Sequence, residues 1–239
     1  MSAKRVDEVR EAANEVRFLL DPDRARAVGE WARNHLGPDP YAQEDSGCYR
    51  TTSLYFDTEE LDVLYQRGSY ARSKYRVRRY GEGGDVFLER KLKKGGVVTK
   101  RRSIVGMEDL SRLASNAPER GWYGYWFHRR LLARRLRPVF QISYRRMARE
   151  SETPFGPIRL TIDQALRAHR IEDTQFDNGV SGIELSENQK ILELKFRHEM
   201  PVLFIRLMEE FSLSPEAVSK YRLAAAALAI AGPLELQPQ

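Results

Sequence analysis

Apolar and polar residues alternate in several short stretches of the chain, which is the pattern of β-strands with one buried face. In residues 190–197, three apolar side chains alternate with Glu193 and Lys195. Side chains two apart on a strand point the same way, so one face of this predicted strand is charged and the other is apolar. Further strands are predicted at residues 14–20, 49–56, 139–149 and 158–166.

Residues 71–105 contain three extended runs that are separated by two glycine-containing breaks. The first break spans residues 81–85 and the second spans residues 94–96. Glycine permits the positive φ that tight hairpin turns require. The sequence therefore predicts a three-stranded antiparallel meander here.

Helical spacing of apolar residues interrupts this series of strands. It predicts helices at residues 24–36, 107–116, 124–136, 201–211 and 215–231, and a capping box at Asp57–Glu60 predicts a short helix at residues 59–65. Asp21 or Asp23 suits the N-cap of the first helix, and Ser214 with Pro215 suits the start of the last. Residues 170–188 lack a clear period and are expected to form a loop with at most one short strand. About eight strands with intervening helices indicate an α+β fold, an antiparallel β-barrel covered by helices.

The composition is that of a folded protein and not of a disordered one, with 41% hydrophobic and 31% charged residues. We expect residues 1–239 to form a single domain. The lone Cys48 excludes an internal disulfide and fits a reducing compartment. Neither an export signal nor an apolar run near the roughly 20 residues of a membrane span is visible. We therefore expect a cytoplasmic protein without a membrane segment.

Positive charge is concentrated in two parts of the sequence. Residues 67–102 hold thirteen Lys or Arg against three acids, and residues 129–149 hold eight Arg and no acid. The whole chain has a net charge of +6. Such clustering favours an anionic partner, which could be a phosphate chain, a nucleotide, nucleic acid or a membrane surface.

The charged faces of the strands allow two interpretations. A charged strand face is ordinarily solvated. However, glutamate and basic residues lie two apart on several strands, and the opposite faces are apolar beneath about five amphipathic helices. A closed sheet with a charged lumen and an apolar outer surface accounts for both features.

Nine short motifs, taken in order, resemble the VTC domain, the polyphosphate polymerase domain of the vacuolar transporter chaperone complex. This domain belongs to the CYTH, or triphosphate tunnel metalloenzyme, superfamily. The motifs are Glu15–Phe18, Leu54–Asp57, Lys74–Arg78, Phe87–Lys91, Lys100–Arg102, Tyr144–Arg146, Arg159–Asp163, Leu192–Phe196 and Ser219–Tyr221. The resemblance spans residues 14–224. It implies an eight-stranded antiparallel tunnel whose inner wall binds triphosphate and polyphosphate.

The resemblance also implies roles for individual residues. The phosphate-binding cations would be Arg76, Arg78, Lys91, Lys100, Arg146, Arg159 and Lys220, with Arg17 in the place of a basic residue on the first strand. Tyr144 and Ser219 resemble hydroxyl groups that contact phosphate oxygens. Glu193 resembles the carboxylate that holds Mn²⁺ or Mg²⁺. Ala13 breaks the Glu-x-Glu-x-Lys signature of the wider superfamily, which argues against a second metal site on that strand.

The leading functional hypothesis is a metal-dependent polymerase that moves the γ-phosphate of ATP onto a growing polyphosphate chain. Phosphoryl transfer needs positioning and charge neutralisation, and an anionic acceptor oxygen needs no general base. The alternatives are hydrolysis of tripolyphosphate or nucleoside triphosphate in the same tunnel, and a non-catalytic module that binds polyphosphate, inositol phosphates or nucleic acid. A narrow tunnel does not admit nucleic acid, so we expect no nucleic-acid partner. The sequence leaves the oligomeric state open.

Other chemical candidates have plainer interpretations. The four histidines lie in no recognisable catalytic setting, and the aromatic residues 122–127 fit helix packing better than base stacking. Glu15, Glu89 and Asp163 are either additional metal ligands or salt-bridge partners that orient neighbouring cations.

Overall fold

The computed structural model describes residues 7–10, 13–42, 47–94, 97–177, 181–186 and 188–230. The strands are β1 Asp7–Arg10, β2 Asn14–Leu20, β3 Gly37–Pro38, β4 Cys48–Asp57, β5 Ser73–Tyr80, β6 Asp85–Lys94, β7 Val97–Gly106, β8 Arg137–Ser151, β9 Ile158–Arg170, β10 Ile183–Glu184 and β11 Lys190–Phe196. The α-helices are α1 Pro22–His35, α2 Tyr125–Ala133, α3 Val202–Glu210 and α4 Lys220–Ala227. Two 3₁₀ helices span Gly68–Arg72 and Met107–Ala114.

All the strands belong to one antiparallel sheet. Its order is β1-β7-β6-β5-β4-β8-β9-β11-β2, with β3 added beside β8 and β10 added beside β9. The eight long strands β2, β4 to β9 and β11 are the eight that the sequence predicts. The predicted meander is confirmed as β5, β6 and β7, and Gly81 in its first turn has φ +59°. The second break contains residues 95–96, which lie outside the described residues.

The prediction of a closed eight-stranded barrel is not confirmed, because the sheet is open. Within the described chain, its hydrogen-bonded path ends at β1 on one side and β2 on the other. The free edge of β2 is instead used by the C-terminal segment, where the Glu216 backbone N–H donates to the Arg17 carbonyl at 2.8 Å. This bond occupies a carbonyl that a closing strand would need.

Two hydrophobic cores cover the outer face of the sheet. In the first, α1 and α3 pack on β2, β9 and β11 through residues such as Val28 and Phe204, which bury Leu192 and Leu194. In the second, α2 and the 3₁₀ helix Met107–Ala114 pack on β4 to β7, with Phe127 fully buried. The apolar strand faces are therefore outside, beneath helices, as the sequence predicts.

A third core lies on the opposite, concave face and fills one end of it. There α4 places Tyr221 and Ala224 against Phe140, Ile142 and Leu166. Because these side chains are buried, this end of the concave face is apolar and closed.

Three helix predictions are corrected. Residues 59–65 form turns, because the buried Asp57 carboxylate accepts the backbone N–H groups of Thr58, Val63 and Leu64, and Leu61 has φ +59°. The last helix begins at Lys220 and not at Pro215, because residues before it run along β2. Residues 107–114 form a 3₁₀ helix.

In the part of the chain that the structure describes, no helix combines the length and apolar character needed to cross a membrane.

Candidate functional site

The charged faces of the strands look into one shared space. Lys91 on β6 and Glu15 on β2 form an ion pair at 2.7 Å, although their strands are far apart in the sheet order. The sheet must therefore curl until these faces oppose each other. We call the space between them the lumen.

Glu89 is the centre of the first charge cluster in the lumen. Its carboxylate accepts from the Nε of Arg76 at 2.7 Å and from the Nη2 of Arg102 at 2.5 Å, and the Nζ of Lys100 lies 2.5 Å away. Only 1% of Glu89 is exposed. Burial would raise its pKa, but Lys100, Arg76 and Arg102 together hold that pKa well below its ordinary value. Glu89 is therefore a salt-bridge partner that fixes three cations.

Two groups in this cluster titrate near neutral pH. Burial lowers the pKa of Lys100 to about 7, against the opposing effect of Glu89. Burial would raise the pKa of Tyr80, but Arg78, Arg102 and Lys100 lower it to about 6. The positive charge of the lumen therefore changes within the physiological pH range.

A pair of carboxylates forms the second cluster, where β2 and β11 lie side by side. Arg17 donates from Nε to Glu193 and from Nη2 to Glu15, at 2.7 and 2.6 Å. The Nζ of Lys195 lies 3.0 Å from Glu193 and 3.3 Å from Glu15. Burial raises the pKa of Glu193, but Lys195 and Arg17 hold it well below its ordinary value. Burial and Glu193 raise the pKa of Glu15, and Lys195, Lys91 and Arg17 lower it to about 2.

Asp163 anchors the third cluster and is fully buried. Arg146 binds it through two parallel bonds, from Nε to Oδ1 at 2.6 Å and from Nη2 to Oδ2 at 2.7 Å. The Nζ of Lys220, at the start of α4, lies 2.7 Å from Oδ2. Burial would raise the pKa of Asp163, but Arg146 and Lys220 lower it to about 2. The cluster ties the C-terminal helix to the wall of the lumen.

Two cations in the lumen make no ion pair with a described carboxylate. Arg78 is 5% exposed, and its Nε donates to the Ser53 hydroxyl at 3.0 Å. Lys74 lies 5.7 Å from the centre of the Tyr221 ring, and burial lowers its pKa to about 8. Neither group is held by an ion pair among the described residues, so both can turn their charge toward an anionic guest.

Three buried hydroxyl groups on the inner face have no hydrogen-bond partner among the described residues. They belong to Thr51, Tyr144 and Thr161. Thr51 and Tyr144 are direct neighbours across β4 and β8, and Thr161 is opposite Glu193 across β9 and β11. Buried hydroxyls are normally satisfied, so these three are open to water or to a polar guest. Ser219, the N-cap residue of α4, makes no capping bond with its side chain.

An aromatic cluster lies at the end of the lumen away from α4. Tyr80 is 4.7 Å from Tyr41, 5.6 Å from Tyr49 and 5.1 Å from Phe87, measured between ring centres. The guanidinium of Arg102 lies 4.5 Å from the centre of the Phe87 ring. Tyr41 is 44% exposed, so the cluster reaches solvent. We call this end the mouth.

Arg159 is also at the mouth. It donates to the Tyr49 hydroxyl at 2.9 Å and forms ion pairs with Asp39 at 2.5 Å and with Glu150 at 3.9 Å. Arg159 is therefore held by acidic residues at the mouth, and not by one of the three carboxylate clusters deeper in the lumen.

The structure places ten of the eleven sequence-predicted site residues on the inner face, and the eleventh, Ser219, directly precedes Lys220 at the start of α4. The eleven are Arg17, Arg76, Arg78, Lys91, Lys100, Tyr144, Arg146, Arg159, Glu193, Ser219 and Lys220. The predicted site omits Lys74, Arg102 and Lys195, which also face the lumen. Alternation with apolar residues was the available signal for Lys195, whereas Arg102 lies between Arg101 and Ser103 and lacks that signal. The mouth residues Tyr41 and Tyr80 carried no such signal in the sequence, because only the fold brings their rings into contact.

The second cluster contains carboxylates, the side-chain ligands that a divalent metal such as Mg²⁺ prefers. Within the described residues, no group of three or more His, Cys, Asp or Glu side chains is placed to hold a metal ion. Mg²⁺ is commonly held by one or two carboxylates together with substrate phosphates and water. Glu193 and Glu15 supply the two carboxylates of that mode and not an all-protein cage, and a metal bound there would share their oxygens with Arg17 and Lys195.

The remaining candidates are structural. His128 is 1% exposed, and its Nε2 lies 2.8 Å from the Ser115 carbonyl oxygen. Trp122 and Phe127 belong to the outer core beside α2. The aromatic residues 122–127 therefore include core packing residues, as the sequence indicates.

Solved structures define the fold class of this arrangement. A proposed adenylate cyclase from Bacillus halodurans matches with a TM-score of 0.56 and 16% identity, over 89% of this chain and 95% of its own. A proposed adenylyl cyclase from Hippeastrum with a dominant triphosphatase activity matches with a TM-score of 0.53 and 14% identity, over 95% of this chain and 99% of its own. At these identities the likeness establishes the shared fold.

The sequence itself identifies the family. The VTC domain profile matches residues 12–229, so the chain belongs to the VTC domain family. No protein with a curated function matches the chain significantly.

Proposed function

We propose that the protein is a polyphosphate polymerase that transfers the γ-phosphoryl group of ATP to the end of a polyphosphate chain in the lumen. In this reaction the bond from the γ-phosphorus to the β–γ bridging oxygen breaks and ADP leaves. A terminal oxygen of the acceptor chain forms the new bond to that phosphorus. The acceptor oxygen is already anionic, so no general base is required.

The observation that carries the proposal is the unsatisfied chemistry of the inner face. Within the described residues, Arg78 and Lys74 make no ion pair with a carboxylate, and the buried Tyr144 hydroxyl has no hydrogen-bond partner. Guanidinium and hydroxyl donors match the nonbridging oxygens of phosphate. Membership of the VTC domain family supports polymerisation as the reaction.

The carboxylate clusters position the cations that would neutralise the phosphates. Glu89 orients Arg76 and Lys100, and Asp163 orients Arg146 and Lys220. Preorganised charge of this kind stabilises a transition state without reorganisation during the reaction. Glu193, with Glu15, would hold Mn²⁺ or Mg²⁺, which when bound supplies further neutralisation of phosphate oxygens.

The mouth favours a nucleoside triphosphate as the donor. The Tyr41 ring packs on Tyr80, and Tyr80 in turn contacts Arg78 and Arg102. A base can stack on such rings while its phosphates extend toward the cations. The nucleoside would therefore stay at the mouth, and the phosphates would lie deeper.

Hydrolysis of the same substrates is the second candidate. The specific observation in its favour is Lys100, whose pKa of about 7 leaves part of its amine neutral and able to accept a proton at neutral pH. A binding module without turnover is the third candidate and would use the same cations.

One incubation distinguishes the three functions. The purified protein is mixed with ATP and Mn²⁺, and products are resolved by polyacrylamide gel and by free phosphate assay. We expect long-chain polyphosphate and ADP. Free phosphate without long chains would replace the proposal with hydrolysis. The absence of both products would support a binding module without turnover.

A further inference from the structure

A second cationic site lies outside the lumen. A cavity of about 450 Å³ opens between the 3₁₀ helix Gly68–Arg72, the strands β5 and β6, and α2. Tyr75 and Arg90, which are opposite each other across β5 and β6, line it. Their neighbours Arg76 and Glu89 point into the lumen, so the cavity is on the other side of the sheet. We call it the arginine pocket.

Four arginines line this pocket: Arg72, Arg90, Arg130 and Arg134. The other lining residues are Gly68, Ser69, Ser73, Tyr75 and Leu92, so none is acidic. The lumen differs, because Glu15, Glu89, Asp163 and Glu193 are interleaved with its cations. Like charges gathered without a counter-charge repel one another, and a bound anion relieves that repulsion.

Two of these guanidinium groups have donors that find no acceptor in the part of the chain that the structure describes. The Nε atoms of Arg90 and Arg134 are buried and make no hydrogen bond. A buried donor without an acceptor is unfavourable, so such atoms indicate that an acceptor enters the site.

Arg134 is held in place, and not free to turn toward solvent. Its Nη2 donates to the Ser69 hydroxyl at 3.2 Å, and its guanidinium lies 4.1 Å from the centre of the Tyr70 ring. The Tyr70 hydroxyl in turn donates to the Arg134 carbonyl at 3.2 Å. The pocket is therefore preorganised, which lowers the cost of binding.

We propose that the arginine pocket is a second binding site for a compact oligophosphate anion, separate from the lumen. Guanidinium forks bind phosphate oxygens through two parallel hydrogen bonds. Four of them around a cavity within the usual range for small ligands suit an anion that carries several charges in a small volume. The proposal does not depend on what reaction the lumen performs.

Isothermal titration of the full-length protein with inorganic tripolyphosphate tests the proposal. The test variant is Arg72→Gln with Arg130→Gln, two exposed pocket residues. The matched control is Arg33→Gln with Arg129→Gln, which removes the same charge from exposed helix positions outside the pocket. We expect two sites in the wild type and the control, and one site in the pocket variant.

The outcomes separate this proposal from the function of the lumen. Equal isotherms for the pocket variant and the control would overturn the pocket proposal. If the lumen alone fails to bind, the wild type shows one site and the pocket variant shows none. Inorganic phosphate that saturates the pocket at the same concentration as tripolyphosphate would exclude an oligophosphate preference.

A measurement on the wild type avoids any effect of substitution on folding. Phenylglyoxal modifies accessible arginines, and peptide mass spectrometry locates them. We expect tripolyphosphate to protect Arg130 strongly and its neighbour Arg129 little. Equal protection of the two would contradict the proposal.

Discussion

The two ends of the concave face have opposite character, although the same strands build both. Along β8, Phe140 and Ile142 pack against Tyr221 of α4, whereas Tyr144 and Arg146 follow on the same face and line the lumen. Along β11, Ile191 is in the apolar core and Glu193 is in the second charge cluster. The change from apolar to charged occurs within one or two inward positions of each strand.

This difference shows how the fold positions a polar site within a stable sheet. The apolar end gains its stability from burial, while the charged end concentrates cations around a few buried carboxylates. The C-terminal helix links both, because Tyr221 packs in the apolar end and Lys220 pairs with Asp163. Substitutions at the charged end should therefore affect turnover, and those at the apolar end should affect stability.

The largest effect is expected at Glu193. Glu193→Gln keeps the size of the side chain but removes the charge that would hold the metal. We expect metal-dependent turnover to fall by about 100-fold or more, with anion binding retained. The control is Glu184→Gln on β10, which is also ion-paired but lies away from the lumen. Wild-type turnover in Glu193→Gln would reject the metal role.

Arg78 is expected to come next. Arg78→Gln removes a buried cation that makes no ion pair with a described carboxylate, so we expect kcat/KM for ATP to fall by about 100-fold. Arg79→Gln is the matched control, because Arg79 is the next residue of the strand and contacts Phe176 on the opposite face. Steady-state kinetics of both variants checks this, and equal losses would contradict it.

The aromatic cluster at the mouth should distinguish ATP from inorganic tripolyphosphate, which has no base. Tyr41→Ala removes the most exposed ring of the aromatic cluster, and we expect KM for ATP to rise about fivefold or more. Binding of inorganic tripolyphosphate, which has no base, should stay the same. Tyr123→Ala, at another exposed tyrosine, is the control. A parallel loss for both ligands would mean that the ring does not contact the base.

A smaller, pH-dependent effect is expected from Lys100. Its pKa of about 7 lies below the ordinary 10.5, so the cation is present below pH 7 and is lost above it. We expect tripolyphosphate binding to weaken several-fold between about pH 6 and about pH 8.5, and to weaken less in Lys100→Arg, which stays charged. Tripolyphosphate itself also titrates in this range, but it does so equally with both proteins. Its effect therefore cancels when the Kd of the wild type is divided by the Kd of Lys100→Arg at each pH. Identical pH profiles would contradict the assignment.

The smallest effect on chemistry is expected at the apolar end. Tyr221→Phe removes the hydroxyl that donates to the buried Asp57 carboxylate at 2.6 Å. We expect the free energy of unfolding to fall by about 1–3 kcal/mol. Denaturant unfolding of the variant beside Tyr65→Phe, an exposed tyrosine, measures it. An unchanged midpoint would show that the bond contributes nothing.

Local patterns predicted the elements well where the strands are amphipathic. The eight long strands follow from period-two alternation, and α1 from its spacing and the Asp21 cap, which accepts from the Arg24 N–H at 2.8 Å. The helix predicted at residues 59–65 was wrong because Asp57 binds backbone groups up to Leu64, a tertiary choice that a capping pattern does not show. The single-domain organisation stays a prediction.

The sequence by itself determined which side chains share a face, because that depends only on the geometry of the strand. It therefore predicted the charged face, the apolar outer face and the excess of cations. The tertiary structure alone decided that the sheet curls without closing, that Glu89 and Asp163 each fix two or more cations, and that Tyr41 meets Tyr80 at the mouth. These outcomes depend on contacts between residues far apart in the chain, and a local sequence pattern does not indicate which distant residues come into contact.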